Sequence, residues 1–205
     1  MTEDVFVQCS QAACATRFVA PPGTPCPFCH QATRIMAQRY PNVVRQRPVQ
    51  RVLHVVFDGV RSALNVGVML RTAEALGVAC AYHCGITPAA DHPKVAKAAL
   101  GAQMRVTAEA HRDAVAVVTR LVAQGLHVVA LENTAAAADL YDLLESQQLA
   151  SELVIVVGNE VAGVDPAVLA LCHHVVALPM LGDKNSLNVG HAFAAAAFAL
   201  THSRA

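Results

Sequence analysis

Short apolar runs alternate with helical patterns along most of this chain. The apolar runs predict six buried strands, at residues 53–57, 79–84, 104–108, 127–131, 153–157 and 174–180. Between strands, apolar residues recur at helical spacing, as at Val66, Met69, Leu70 and Ala73. Because strand and helix alternate from Leu53 onward, we predict an α/β fold with a parallel sheet and helices on both faces.

The predicted helices begin and end at residues that suit helix termini. Asn65 can cap the first helix, which Gly77 ends, and Asp165-Pro166 can open a short helix late in the chain. The remaining predicted helices lie at residues 91–101, 113–124 and 141–145, and from about 189 to 201. The last of these is apolar nearly all round, so we expect it to be covered on more than one side.

Two late strands are followed by loops of glycine and polar residues. Gly158-Asn159-Glu160 comes after strand 153–157, and the segment 182–188 comes after strand 174–180. Parallel strands end at the same edge of a sheet, and open α/β folds bind ligands in the crevice outside that edge. Glycine at position 158 would allow a ligand to approach the backbone closely.

Three motifs, in this order, give the chain a family resemblance. NVGVMLRTAEALG begins at Asn65, GNEVAG at Gly158 and LPMLGDKNSLNV at Leu178. They resemble the motifs of the SpoU (TrmH-like) methyltransferases, and the similarity covers roughly residues 53–200. The resemblance implies methyl transfer from S-adenosylmethionine to a ribose 2′-hydroxyl of tRNA or rRNA. It also implies a SPOUT fold with a C-terminal trefoil knot, and a homodimer formed through the last helix.

The resemblance also assigns site residues. Catalytic roles would fall to Arg71, Asn65, Glu160 and Asn188, with Arg71 holding a phosphate and stabilising the developing alkoxide. The cofactor would be contacted by Leu131, Gly158, Leu178, Met180, Ser186 and Leu187. From the residues alone, Arg71 could be a solvated helix arginine, Asn65 a plain N-cap and Glu160 a loop carboxylate facing water. We expect Gly67, one turn before Arg71, to leave the approach to that guanidinium open.

One position departs from the family pattern. The family usually has serine after the Asn-Val of its last motif, where this chain has Gly190 followed by His191. A hydroxyl is lost there, and His191 could replace its contact. This departure motivates an alternative hypothesis, a catalytically inactive knotted protein that binds RNA during RNA or ribosome maturation. A dehydrogenase-type nucleotide fold is a third option, but no G-x-G-x-x-G opens the first helix.

Four of the seven cysteines lie near the N-terminus, at Cys9, Cys14, Cys26 and Cys29. Two close pairs separated by a Pro/Gly-containing loop are typical of a zinc ribbon, in which four thiolates form a closed structural shell. His30 could substitute for one ligand. A disulfide pair, which the cytoplasm disfavours, and a thioredoxin-like redox motif without its βαβ context are the other interpretations. We therefore predict a zinc-ribbon-like domain at 1–33, a linker at 34–51 and a methyltransferase domain at 52–205.

Charge is distributed unevenly although the formal net charge is zero. Residues 1–51 carry six arginines against Glu3 and Asp4, a net +4, and the remainder carries nine basic and thirteen acidic residues, a net −4. We expect the N-terminal part to face a polyanion such as RNA, although an Arg-rich solubilising linker has the same composition. No apolar run reaches the ~18 residues of a membrane span, and the N-terminus lacks signal-peptide features. We therefore expect a cytoplasmic protein without membrane contact.

Overall fold

A computed structural model describes residues 3–41, 43, 45 and 47–203 and divides the chain into two compact units. We call Met1–Arg47 the ribbon unit and Pro48–Ala205 the sheet unit. Positions 42, 44 and 46 of the predicted linker, and 204–205 of the predicted methyltransferase domain, lie outside the described residues.

The ribbon unit contains a three-stranded antiparallel sheet of β1 (Val5–Cys9), β2 (Arg17–Ala20) and β3 (Thr33–Ala37), with β1 in the centre. Its buried core consists of Val5, Val7 and Ala20, with Phe18 packed against them. The predicted domain boundary at residue 33 needs correction, because β3 continues to Ala37. This strand escaped prediction because it is exposed along most of its length and shows no apolar alternation.

The sheet unit is built on seven strands in the order β6-β5-β4-β9-β7-β10-β8. All their pairings are parallel. The strands are β4 (Val52–Asp58), β5 (Ala81–Cys84), β6 (Ala108–His111), β7 (His127–Leu131), β8 (Ala138–Asp139), β9 (Glu152–Val157) and β10 (His174–Ala177). The helices are α1 (Ala63–Leu76), α2 (Pro93–Ala99), α3 (Ala114–Ala123), α4 (Leu140–Glu145), α5 (Pro166–Leu169) and α6 (Val189–His202). The predicted α/β fold with a parallel sheet is confirmed.

Side chains of the central strands alternate between two buried cores. Leu153, Ile155 and Val157 of β9 belong to the core that also contains residues of α1, α2, α4 and α6. Val154 and Val156 belong to the other core, with residues of α3 and α5. Because successive residues of a strand point to opposite faces, a continuous apolar run fills both cores at once. The prediction of helices on both faces is therefore confirmed.

Several local predictions need correction. The strand predicted at 104–108 is wrong: a 3₁₀ turn spans Ala102–Met104, and β6 follows at Ala108–His111. Of the two larger apolar residues in that run, Val106 is buried, whereas Met104 is 82 % exposed. β10 stops at Ala177, three residues before the predicted end, and the two-residue strand β8 was not predicted.

Asn65 is not the N-cap of the first helix. The cap is Ser62, whose hydroxyl accepts a hydrogen bond from the Asn65 backbone amide, so that α1 begins at Ala63. The Asn65 side chain is thereby free for contacts outside the helix. Among the described residues, no helix is both long and apolar enough to cross a membrane. The trefoil knot stays a prediction.

Candidate functional site

A cavity of about 380 Å³ lies at the carboxyl ends of β7, β9 and β10, which are neighbours in the sheet. This size falls at the lower end of the ~300–1,000 Å³ typical of small-molecule sites. The residues that line it come from the loops after these three strands and from the start of α6. All six residues predicted to contact a cofactor are among them: Leu131, Gly158, Leu178, Met180, Ser186 and Leu187.

Three of the four predicted catalytic residues form a hydrogen-bonded chain at the edge of this cavity. Asn188 Nδ2 donates to Asn65 Oδ1 at 3.0 Å, and Asn65 Nδ2 donates to Glu160 Oε1 at 2.8 Å. Asn188 also caps α6, because its Oδ1 accepts from the backbone amide of Gly190. These hydrogen bonds therefore join α1, the loop after β9 and the start of α6. Glu160 and Asn188 follow Asn65 in the sequence by 95 and 123 residues.

Glu160 lies beside the start of α1 and accepts hydrogen bonds from the two residues that precede this helix. Its two carboxylate oxygens accept from the backbone amides of Arg61 at 2.9 Å and Ser62 at 3.0 Å. Partial burial alone would raise the pKa of Glu160, but these bonds and the one from Asn65 outweigh burial and lower it. Glu160 is therefore held as a carboxylate, and the interpretation as a loop residue facing only water is wrong.

The loop after β9 is a tight turn closed by Asn159 and Gly163, whose backbones exchange two hydrogen bonds. A Cβ at Gly158 would lie 2.3 Å from the backbone of Gly163 and Val164. Glycine is therefore required at 158 by the turn itself, and close approach of a ligand to its backbone stays a prediction. The Asn159 side chain ties the turn to the residue that follows β4, since its Nδ2 donates to Gly59 O at 2.7 Å.

The loop after β7 contacts both other loops of the cavity. Glu132 Oε2 accepts from the backbone amide of Val164 at 2.9 Å, and Asn133 Nδ2 donates to the backbone oxygen of Asn185. The lining includes two carboxylates, Glu132 and Glu160, and no lysine, arginine or histidine among the residues the structure describes. The cavity therefore favours a ligand with positive charge.

Arg71 is absent from the described lining of this cavity. It is exposed and lines a second depression of about 570 Å³, together with Arg105, Leu100 and Phe198. Along α1, Arg71 follows Asn65 by six residues, which corresponds to about 9 Å along the axis and about 120° around it. Within one chain, the fourth predicted catalytic residue is thus separated from the other three.

Gly67 has a different role from the one expected. It is buried, and a Cβ there would lie 2.5 Å from the Cβ of Ala98 and 2.7 Å from the backbone oxygen of Val95. Gly67 therefore permits the close crossing of α1 and α2 and does not open a path to Arg71.

Gly190, the departure from the family motif, lies where α6 begins against α1. A Cβ at this position would be 3.2 Å from Asn188 Oδ1 and 3.5 Å from the Val68 side chain. A serine would therefore fit only after a small shift, and the glycine accommodates the close contact of α6 with α1. His191 is exposed beside it.

The four N-terminal cysteines converge on one point. Their sulfur atoms all lie within 4.8 Å of one another, and His30 is outside this group. Cys9 Sγ is 3.4 Å from Cys29 Sγ, and Cys14 Sγ is 3.7 Å from Cys26 Sγ. Tetrahedral Zn²⁺ with bonds of about 2.3 Å would hold its sulfurs about 3.8 Å apart. The cluster thus fits a zinc ion, and its four thiols are free rather than paired in disulfides.

The thiols of this cluster have divergent proton affinities. A hydrogen bond with the Thr16 hydroxyl is the main cause that lowers the pKa of Cys14 to about 6. The Gln31 backbone favours the Cys29 thiolate, but contacts with the other thiols and burial outweigh it and raise the pKa of Cys29 to about 12. Thiols this close resist joint deprotonation, and a Zn²⁺ ion bound among them would hold all four as thiolates.

Sequence reasoning missed Glu132, Asn133 and Asn159 as site residues. The position of each within two residues of the end of a buried parallel strand was a usable signal, because ligand sites lie at that edge. Ser62 was missed because Asn65 also suits a helix N-cap.

Comparisons with known proteins match the sheet unit to one family. The model of the SpoU rRNA Methylase family matches residues 52–198. The 23S rRNA (guanosine-2′-O-)-methyltransferase RlmB of Pseudomonas syringae pv. tomato is 34 % identical over 67 % of this chain and 53 % of its own length. The tRNA (guanosine(18)-2′-O)-methyltransferase of Escherichia coli is 30 % identical over 69 % of this chain and 59 % of its own length. The chain thus spans little more than half of these two relatives.

A solved structure shares the fold. The SpoU methyltransferase AviRb of Streptomyces viridochromogenes, in complex with AdoMet, superposes with a TM-score of 0.64 at 23 % identity. The superposition covers 84 % of this chain and 68 % of that one. The sheet unit therefore has the fold of a methyltransferase that was solved with its cofactor.

Proposed function

Because this chain belongs to the SpoU rRNA methylase family, we propose that it transfers a methyl group from S-adenosylmethionine to a ribose 2′-hydroxyl of tRNA or rRNA. The two relatives described above methylate guanosine 2′-hydroxyls, one in 23S rRNA and one in tRNA. Since these proposed substrates are found in the cytoplasm, we also propose a cytoplasmic location.

The observation that carries this proposal is the composition of the cavity between β7, β9 and β10. Six predicted cofactor-contacting residues line it, and its charged lining residues are the carboxylates Glu132 and Glu160. S-adenosylmethionine carries an activated methyl group on a positively charged sulfonium, which suits an anionic cavity. With the donor already activated, the protein must position two reactants and stabilise the developing charge.

We assign the stabilising role to Arg71. A guanidinium stays protonated in proteins, so it cannot serve as the base that removes the hydroxyl proton. It can hold the phosphate next to the target ribose and stabilise the alkoxide, while the proton passes to phosphate or water. Asn65, Glu160 and Asn188 act as positioning residues, because their hydrogen bonds fix the three segments around the cavity.

Since Arg71 lies outside the cavity of its own chain, we propose that a homodimer completes the site. The depression that contains Arg71 is bordered by Phe198 of α6, which is 49 % exposed. Contact between the α6 helices of two copies would cover this apolar side chain and bring Arg71 of one copy toward the cavity of the other.

In the ribbon unit, we propose one structural Zn²⁺ held by Cys9, Cys14, Cys26 and Cys29.

The reaction is tested with methyl-labelled S-adenosylmethionine and total RNA. Ribose methylation blocks alkaline cleavage, so label should appear in alkali-resistant dinucleotides. Arg71→Ala should abolish this labelling, while its cofactor affinity changes less than about threefold. Label found on bases would contradict the ribose assignment. Mapping the labelled nucleotide then identifies the RNA.

A second candidate is a knotted RNA-binding protein without catalysis. Gly190 in place of serine, and the separation of Arg71 from the cavity within one chain, favour it. Tight RNA binding without label transfer on any RNA fraction would support this candidate. The anionic cavity argues against it, because an RNA-binding protein without chemistry has no need of a site for a cationic cofactor.

A further inference from the structure

The sheet of the ribbon unit has one face that its small core leaves uncovered. Along β1, Val5, Val7 and Cys9 are buried, whereas Phe6 is exposed and Gln8 is partly exposed on the opposite side. The antiparallel register extends this second side across the sheet. Phe6 pairs with Val19, and Gln8 pairs with Arg17 on one flank and with Arg34 on the other. We call Phe6, Gln8, Arg17, Val19 and Arg34 the open sheet face.

The open sheet face combines an aromatic ring with two positive charges. Phe6 is 38 % and Val19 is 46 % exposed, and both arginines are exposed. Arg34 Nη2 donates to Gln8 Oε1 at 3.3 Å, so its partner on this face is a neutral side chain. The ribbon unit contains only two carboxylates, Glu3 and Asp4, and both precede β1. The two guanidinium charges on this face are therefore not neutralised by an acidic neighbour on the sheet.

Spacing on the sheet places the Phe6 ring near both arginines. Neighbouring strands lie about 4.8 Å apart and residues two apart on one strand about 6.8 Å, so Phe6 lies within roughly 9 Å of both arginine positions. A base can stack on the ring while the flanking phosphates meet the guanidinium groups. Stacking on an exposed aromatic ring requires a base that is not already stacked in a duplex.

We propose that the open sheet face binds an unpaired segment of the RNA substrate, with one base on Phe6 and phosphates on Arg17 and Arg34. This assignment rests on the proposed function for the identity of the polymer as RNA. A partner protein with an apolar surface would leave the two guanidinium charges without counter-charge, whereas RNA supplies one phosphate for each. The face lies outside the segment that matches the methylase family, residues 52–198, so it would supply an RNA contact in addition to those of that domain.

Binding of a fluorescent, unstructured 12-nucleotide RNA to the full-length protein tests the charges. Each phosphate contact in a single strand contributes about 0.7 to the slope of log affinity against log salt. Arg17→Gln and Arg34→Gln should therefore each lower the slope by about 0.7, and the double variant by about 1.4. Arg112→Gln, which removes an exposed arginine from the sheet unit, is the matched control and should leave the slope unchanged.

Substitutions of Phe6 test the stacking. Phe6→Leu keeps apolar volume without a ring and should weaken binding at least about fivefold, whereas Phe6→Tyr should bind like the wild type. Phe28→Leu alters a 77 % exposed ring between Cys26 and Cys29, which is not part of the open sheet face, and is expected to have no effect. Zinc content and S-adenosylmethionine affinity of every variant check that both units stay folded.

Unchanged salt slopes for Arg17→Gln and Arg34→Gln, or equal binding by Phe6→Leu and Phe6→Tyr, would overturn the inference. Loss of self-association in these variants with unchanged RNA binding would overturn it too, and would assign the face to a second copy of the chain. The assay needs no turnover. Failure of methylation alone, with the expected RNA effects intact, would count against the proposed function and leave this inference standing.

Discussion

The two units of this protein reach a defined structure by opposite routes. In the sheet unit, two extensive cores fix parallel strands, and residues 95 and 123 positions apart then meet at the strand ends. In the ribbon unit, three buried residues form the core, and four cysteines within 4.8 Å of one another provide the main constraint. The fold creates the site in the first unit, whereas the proposed metal site creates the fold in the second.

The largest expected effect follows from removing the metal. Structural zinc contributes about 10–16 kcal/mol in small zinc domains, far more than a core of three residues can replace. Cys26→Ser with Cys29→Ser should therefore release one zinc per chain and abolish amide protection in the three strands of the ribbon unit. Elemental analysis and hydrogen exchange measure the two outcomes.

The same double substitution should leave the sheet unit folded and able to bind cofactor. Its S-adenosylmethionine affinity should stay within about twofold of the wild type, while RNA affinity falls. Cys80→Ser, which alters a buried cysteine of the sheet unit, is the control and should leave the zinc content at one per chain. Less than stoichiometric zinc in the wild-type protein would contradict the ribbon assignment.

A smaller effect is expected from cutting the hydrogen-bonded chain at the cavity. Asn65→Ala removes the donor to Glu160 and the acceptor for Asn188, and it should lower the free energy of unfolding by about 1–3 kcal/mol. Gln124→Ala, at an exposed helix end, should change it by less than about 0.5 kcal/mol. Urea unfolding of the two variants gives the comparison.

The Asn65→Ala effect should depend on pH in a defined direction. In the wild type the pKa of Glu160 is lowered on folding, so its carboxylate stabilises the protein above the pKa of an unfolded glutamate. That contribution is lost as pH falls through the lower pKa of the folded protein. The difference in free energy of unfolding between wild type and Asn65→Ala should therefore be largest at pH 7 and shrink below about pH 4. A difference that grows on acidification would contradict the assignment.

The smallest effect concerns cofactor charge. Glu132→Gln keeps an oxygen for the Val164 amide but removes a negative charge from the cavity. Affinity for S-adenosylmethionine should fall about two- to fivefold. Affinity for S-adenosylhomocysteine, whose sulfur carries no charge, should change less. Glu145→Gln, in the exposed part of α4, is the matched control for calorimetry. Equal losses for both ligands would mean that charge is not what Glu132 supplies.

Sequence patterns predict the two units to different depths. Continuous apolar runs identified β4, β7 and β9 closely, because a strand buried on both faces consists mostly of apolar residues. The exposed edge strands β3 and β6 gave no such pattern, and one was missed and the other misplaced by four residues. Cysteine spacing identified the four converging thiols without any help from hydrophobic patterning.

For the site, motif positions predicted which residues gather at the cavity but not how they are connected. The bridge from Asn188 through Asn65 to Glu160 depends on three-dimensional placement of the start of α6 beside α1. The reason for Gly67 likewise appeared only with the crossing of α1 and α2. Placement of Arg71 on a different side of α1 from Asn65 followed from helix geometry that was available in the sequence, since positions six residues apart on a helix lie about 120° apart around its axis.

Subunit complementation tests the central claim, that the cavity of one copy uses Arg71 of another. Arg71→Ala removes the guanidinium, and Ala192→Phe fills the cavity that Ala192 lines, which is verified by loss of cofactor binding. Each variant alone should be inactive. Mixed dimers, co-expressed with two tags and purified by both, should regain about half of the wild-type ribose methylation, because one of their two sites is intact. Mixed dimers without activity would contradict the shared site.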